Sequence, residues 1–279
     1  MKTIKLIAII TMVFTLTSCT FFLDIPPVRT GETQIFEISE EAFKDTEITL
    51  VDIEMGAGTL AINGGSTKLM EGTITYNIDT WEPVVIRENN RLTLKQNRDA
   101  QAVKEYRNEW DLKLGSMPME LELGAGAYEG NIDLGGLAIT RLEISDGASK
   151  STVRFSEPNT TEMDLFTYKT GASNVELYEL GNARAERLEF ICGAGSYKFD
   201  FTGVNTNDIN VVIEGGISDV TITIPENARA EIIVEGELSN TDLTGTWTVE
   251  NNTYQAGTSG ALITVRIDIA LGNLNLVQE

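Results

Sequence analysis

Histidine is missing from all 279 residues. Its absence excludes Ser-His-Asp and Cys-His nucleophile chemistry and removes the commonest zinc ligand. Cysteine is nearly missing, with Cys19 and Cys192 the two in the chain. Basic residues are scarce as well. Lys and Arg number 21 against 42 Asp and Glu, a net charge of −21, which repels nucleic acid and anionic headgroups and favours cations, basic proteins or simple solubility. Aromatic residues make up 7% of the chain, yet 42% of residues are hydrophobic, too many for a disordered chain. Helical periodicity is absent too. No stretch sustains i, i+3, i+4, i+7 apolar spacing over three turns, and residues 98–110 come nearest to a short helix.

One apolar run is present, and it is at the start. Lys2 and Lys5 precede Leu6 through Leu16, a run of about eleven residues, too short for a bilayer span and right for a secretory signal. The run closes on Leu16-Thr17-Ser18-Cys19. A branched apolar residue and two small ones before a cysteine suit lipoprotein maturation, in which the thiol takes a diacylglycerol before cleavage. The expectation is a signal peptide over 1–18 and lipid attachment at Cys19. Removing 1–18 takes two lysines and no acids, leaving a charge of −23. Residues 19–34, with Pro26-Pro27 and Gly31, read as an extended tether. Cys192 then has no internal disulfide partner. It alternates on one face with Leu188 and Phe190 and reads as a small buried hydrophobe.

Beyond the tether the chain is a succession of β-alternating segments, such as Met119-Glu120-Leu121-Glu122-Leu123, Val220-Thr221-Ile222-Thr223-Ile224 and Ile263-Thr264-Val265-Arg266-Ile267. Small-residue corners recur at Gly124-Ala125-Gly126, Gly147-Ala148-Ser149, Gly171-Ala172-Ser173, Gly193-Ala194-Gly195, Gly215-Gly216 and Gly236. A repeat of about 22 residues, strand then small corner then strand, predicts an all-β parallel β-helix or solenoid. Roughly ten coils at ~4.8 Å each predict a rod about 50 Å long. Leu121, Val153, Val175, Leu188, Phe190, Phe199, Val211, Ile222 and Val234 are expected inside, behind a flat, acidic outer wall. The coils proper are assigned to 119–279 and an N-terminal β region to 35–118. Residues 76–115 break the period and read as an insertion or as part of a cap over the solenoid end.

Few motifs point to chemistry. The Gly-Ala-Gly corners lack the third glycine and the following helix that a phosphate loop needs. Glu120 and Glu122 share a strand face, but no aromatic platform or unequal environment accompanies them, so they read as solvated. Asn205-Thr206-Asn207-Asp208, with Asp200, offers oxygen ligands for calcium, although a polar turn explains it as well. Tyr76, Trp81, Tyr106 and Trp110 form the candidate recognition surface, because such rings stack on sugars; the same rings would also cap a solenoid. No catalytic residue, metal site or cofactor is expected.

The runs Leu121-Glu122-Leu123-Gly124-Ala125-Gly126 and Ile132-Asp133-Leu134-Gly135-Gly136-Leu137 resemble the bacterial toast-rack family of envelope proteins. So do Leu180-Gly181-Asn182-Ala183, Phe199-Asp200-Phe201-Thr202-Gly203 and Ser218-Asp219-Val220-Thr221-Ile222-Thr223-Ile224-Pro225, and early on Met55-Gly56-Ala57-Gly58 through Trp81-Glu82-Pro83. Neighbouring families include LiaF-like cell-wall-active antibiotic response proteins and adhesin β-solenoids. The resemblance implies a single right-handed solenoid outside the cytoplasm, with no catalytic residues to carry over. LiaF-like proteins are membrane-integral and restrain an envelope-stress sensor, whereas this chain is expected to be lipid-anchored.

The functional expectation is a non-catalytic, lipid-anchored protein of the cell envelope. It would be held to the membrane through lipid on Cys19 and bind an envelope protein or cell-wall polymer in a stress-response or adhesion role. No nucleic-acid partner is expected, and the chain should be a monomer or weakly self-associating. Two alternatives stand beside this reading. One is a carbohydrate-active β-helix enzyme resembling pectate lyases. The other is a self-assembling scaffold, favoured if the apolar coil around Ile263–Leu276 is an uncapped end.

Overall fold

The computed structural model describes residues 30–96, 106–204, 206–236 and 238–279. The expected signal peptide, Cys19 and most of the tether lie outside the described residues, as does Asn205. Sixteen strands form one sheet: β1 (Gln34–Glu40), β2 (Thr49–Ser66), β3 (Met70–Tyr76), β4 (Val84–Glu88), β5 (Arg91–Lys95), β6 (Asn108–Gly115), β7 (Met119–Asp133), β8 (Ile139–Arg154), β9 (Met163–Tyr178), β10 (Ala185–Asp200), β11 (Ile209–Ile224), β12 (Arg229–Val234), β13 (Leu238–Thr244), β14 (Thr248–Glu250), β15 (Thr253–Ala256) and β16 (Leu262–Gln278). No α-helix occurs among the described residues, and the C-terminal part of the 98–110 stretch is strand β6.

The long strands are parallel: β2 with β7, then β8, β9, β10, β11 and β16 in turn. Each is two arms joined at a corner. Along β7 the inward residues are Leu121 and Leu123 before the corner, then Tyr128 and Ile132 after it. In β10 they are Leu188, Phe190 and Cys192, then Tyr197 and Phe199. The odd–even phase flips at each corner, so both arms turn apolar side chains toward one interior. Short returns close each coil with Leu134 and Leu137, Leu180 and Ala183, or Phe201, all buried. Aliphatic stacks, together with edge-to-face contacts such as Phe190 with Phe199 at 4.9 Å, fill the centre. All nine core residues expected from sequence are buried.

The corner explains the glycines. Where one level lies over the next, the corner residue sits on the carbonyl of its neighbour. A Cβ on Gly126 would stand 2.5 Å from the Gly56 carbonyl oxygen, one on Gly147 2.8 Å from that of Gly126, and one on Gly193 2.5 Å from that of Gly171. The column therefore runs Gly56, Gly126, Gly147, Gly171, Gly193, Gly216 and ends in Ala270. This corrects the sequence alignment of the corners: Gly126, two residues beyond the start of Gly124-Ala125-Gly126, holds the place of Gly56.

Both ends depart from simple winding. At the first, β5 lies on one arm of β2 and β6 on the other. Then β4, β3 and β1 add antiparallel strands outside them. At the far end, β12 and β13 pair with the two arms of β16, not with β11, so β16 sits between β11 and the coil that precedes it in sequence. The condition that would favour a scaffold, an uncapped coil around Ile263–Leu276, is not met, since β16 has neighbours on both sides. The β15–β14 hairpin adds antiparallel to β12. Nine parallel levels, from β5/β6 through β2, β7–β11 and β16 to β12/β13, span about 40 Å at ~4.8 Å spacing.

Asparagines bind the returns together. Buried Asn159 accepts from the Ile139 N–H at 2.9 Å and donates to the Ile139 carbonyl at 2.8 Å. Asn182 donates to the Phe155 carbonyl and accepts from the Val204 N–H, each at 2.8 Å. Each satisfies backbone groups that strand pairing leaves unbonded at a turn.

Candidate interaction surface

The four aromatic candidates gather at the β1–β6 end. Trp110 is 2% exposed and donates its indole N–H to Asn108 Oδ1 at 3.0 Å. Tyr76 is 3% exposed and donates to Gln34 Oε1 at 3.1 Å. Trp81 is buried and meets Tyr106 edge-on, with ring centroids 5.3 Å apart. Tyr106 is the member with an exposed ring. The set is the aromatic filling of this end, with Asn108 and Gln96 exchanging amide hydrogen bonds at its centre. Gln96 and Asn108 were missed by sequence reading, because isolated amides carry no periodic signal.

The coil corners enclose a polar cluster. Tyr168 donates to Asp146 Oδ2 at 2.9 Å, and its hydroxyl lies 2.8 Å from Ser151 Oγ. Thr170 and Ser173 also donate to Asp146. Burial favours the neutral phenols, pushing Tyr128 up to about 12 and raising Tyr168 and Tyr197 as well. These groups face one another across packed strands, and so they read as internal bracing. Cys192 is a buried free thiol, raised by burial, with its sulfur 3.6 Å from Ser218 Oγ. Among the described residues no group of three or more Asp, Glu or Cys is placed to hold a metal ion. Asp208 and Asp200, two of the calcium candidates, accept from the Leu262 N–H at 2.7 Å and the Thr202 N–H at 2.9 Å.

Outside, the two arms present different walls. The first-arm wall carries a ladder of like charge in register, Asp52, Glu122 and Glu143, with Glu189 two levels further on. Burial together with Glu54 and Glu122 raises the Asp52 carboxyl, against the opposing pull of Arg91. Basic side chains lie between the rungs. Arg91 stands 3.6 Å from Asp52 and 3.5 Å from Glu122, Lys169 2.8 Å from Glu143, and Arg187 2.7 Å from Glu189. These bases pair with part of the acidic column. Glu120 and Glu122 lie on this wall, and Glu122 is paired to Arg91.

The second-arm wall is built otherwise. One register column reads Asn131, Thr152, Glu176, Lys198, Thr221 and Asn275, and the next Glu129, Lys150, Asn174, Ser196, Asp219 and Asn273. Tyr178 is flanked by two cations, the Arg154 guanidinium of its own register column 5.4 Å and the Lys198 ammonium of the neighbouring column 4.6 Å from its ring. Near the β1–β6 end the wall dips into a shallow groove over Ala61 and Gly130, edged by Glu109, Asp111 and Lys150. Amides and hydroxyls alternate here with charges of both signs at ~4.8 Å spacing, in place of a column of like charge.

No helix among the described residues is long and apolar enough to cross a membrane. No protein with a curated description matches the chain. Solved structures similar in outline include a candidate cell adhesion protein from Clostridium sporogenes, 22% identical, TM-score 0.48, covering 89% of this chain and 99% of its own. A candidate adhesin from Bacteroides fragilis is 13% identical with TM-score 0.36, covering 88% and 96%. A candidate lipid binding protein from Parabacteroides distasonis is 11% identical with TM-score 0.37, covering 89% and 97%. The family model for the N-terminal domain of toast_rack, DUF2154, matches residues 27–177. That match takes in more than half of the chain and the run from the first strands through β8 almost to the end of β9, so this β-solenoid belongs to the toast_rack family.

Proposed function

We propose that the protein is a non-catalytic, extracytoplasmic solenoid, lipid-anchored at Cys19, which presents its second-arm wall to an envelope partner, either a protein or a cell-wall polymer. The observation that carries this reading is the contrast between the walls. The first stacks like charges in one column, bridged in part by Arg91, Lys169 and Arg187. The second sets amides, hydroxyls and Tyr178 among charges of both signs in regular columns, a pattern suited to an extended partner. The Leu16-Thr17-Ser18-Cys19 motif supports the anchor, and the absence of histidine weighs against Ser-His-Asp and Cys-His hydrolysis. An adhesion or envelope-stress role is consistent with a rod that stands away from its tether.

The test places a photo-crosslinking residue at Asn131 or Asn174 on the second-arm wall, and at Glu143 or Glu189 on the first, in the full-length protein in cells. Mass spectrometry should then find an enriched envelope protein or wall glycan from the first pair of positions and not from the second. Equal capture from both walls, or turnover of a wall polysaccharide by the purified protein, would overturn the proposal.

A further inference from the structure

The two ends of the solenoid are finished differently. At the β1–β6 end the core is roofed: Ile38 is 4% exposed, and Phe43 packs on the core with the Arg87 guanidinium 4.1 Å over its ring. At the other end the core is open. Leu243 of β13 pairs with buried Leu276 and so occupies an inward position, yet it is 43% exposed. Val249 of β14 pairs with Tyr254, which pairs with buried Ile232, and Val249 is 49% exposed. Trp247, partly buried between them, donates to the Thr244 carbonyl at 2.9 Å. Among the described residues β13 pairs with β16 alone, so a seven-residue strand leaves one edge unbonded beside an apolar patch. Unpaired strand edges recruit other strands unless charge or shape prevents it. In a chain of charge −21, β13 carries one charged residue, Asp242.

The sequence of β13 says what fits this edge. Read outward from Thr241, it has Asn240 on one side and Asp242 on the other, then Ser239 and Leu243. Antiparallel pairing of two such strands about Thr241 sets Asn240 opposite Asp242 of the second copy, and the reverse, on the outer face. An amide there faces a carboxylate, not a like charge. On the inner face Thr241 meets Thr241 of the second copy, and Leu243 stands opposite Ser239 of the second copy, at the margin of its open end. Within one chain Asn240 already donates to Asp242 at 2.8 Å, so the two groups are aligned on one face. A head-to-tail pairing would instead set Asp242 near Glu37 and Glu40 of β1 and would leave open ends to propagate.

We infer that the β13 edge is a homodimer interface, closed by a two-fold axis at Thr241, in which two solenoids join end to end through antiparallel β13 strands. The β15–β14 hairpins, which extend the other arm, fall on opposite sides of that axis. Strand β1 is at the opposite end of the sheet order from β13, so the two N-terminal segments leave from the far ends of the pair.

The test uses the full-length protein carrying Thr241→Cys, treated with a short bifunctional maleimide in cells and after purification, with the parent protein, which keeps Cys19 and the buried Cys192, treated in parallel so that only crosslinks it does not form are counted. A crosslinked dimer is expected, and adding Leu243→Lys, a residue the monomer already exposes, should weaken the dimer at least about tenfold by sedimentation while leaving the melting temperature of the monomer unchanged. No crosslink together with a monomer at tens of micromolar would overturn the inference. So would a crosslink forming only between Thr241→Cys and Ile35→Cys chains, which marks head-to-tail stacking.

Discussion

At the scale of single residues, the corner glycines show why residue type is dictated in some places and free in others. Gly171 is trapped: a Cβ there would run into the Gly147 carbonyl, which belongs to a backbone that both neighbouring levels hold in place. Gly56 starts the column, and no described atom lies within 4 Å of where its Cβ would be. Gly171→Ala is therefore expected to cost about 1–3 kcal/mol, as overpacking does, while Gly56→Ala stays within about 0.5 kcal/mol. Urea titrations of the two variants decide the matter, and equal midpoints would mean that the corner yields more than its geometry implies. The column also shows what the sequence made legible. The period and the small residues were plain, because every level meets the same steric demand. Which glycine of Gly124-Ala125-Gly126 meets it was not, because Gly124 and Gly126 differ only in which residue they overlie, and Glu54 is the one opposite Gly124.

At the scale of elements, the inward residues of the strands were readable because alternation records burial on each arm. The order of the last levels was not. The inward residues of β16, Ile263, Val265 and Ile267, are interchangeable in kind with those of β11 and β12, and no local feature says which neighbour each will take. In the fold β15 takes the outer edge of β12 and β16 the inner one, so β16 separates β12 from β11. The candidate aromatics follow the same rule: Trp81 and Trp110 were identifiable as special, but their burial depends on β3 and β4, which lie antiparallel to the rest. A chain ending at Gly260 tests the threading. It removes the partner of β11 on one side and of β12 and β13 on the other. Limited proteolysis should then cut readily between residues 226 and 260 while the levels from β2 to β10 remain protected. Had β12 wound directly onto β11, the same deletion would leave residues 229–234 resistant.

At the scale of the whole molecule, stacking levels in register brings Asp52, Glu122 and Glu143 into one column with rungs only ~4.8 Å apart, on a chain of net charge −21. Arg91, Lys169 and Arg187 relieve part of the strain on the first-arm wall, but exposed pairs of this kind contribute little each, and twice as many acids as bases leave a residual repulsion that unfolding would release. Salt distinguishes the two contributions. At 0.1 M the screening length, about 10 Å, exceeds the spacing of the rungs, whereas at 1 M it falls to about 3 Å, below that spacing. If repulsion along the columns dominates, the melting temperature should climb by several degrees between 0.02 and 1 M sodium chloride, and most of the rise should come above about 0.1 M. A fall over the same range would mean that the bridging cations outweigh the ladder. Glu143→Gln, which removes one rung and leaves Lys169 without its partner, should shrink the salt dependence in the first case and leave the low-salt melting temperature at or above that of the parent protein.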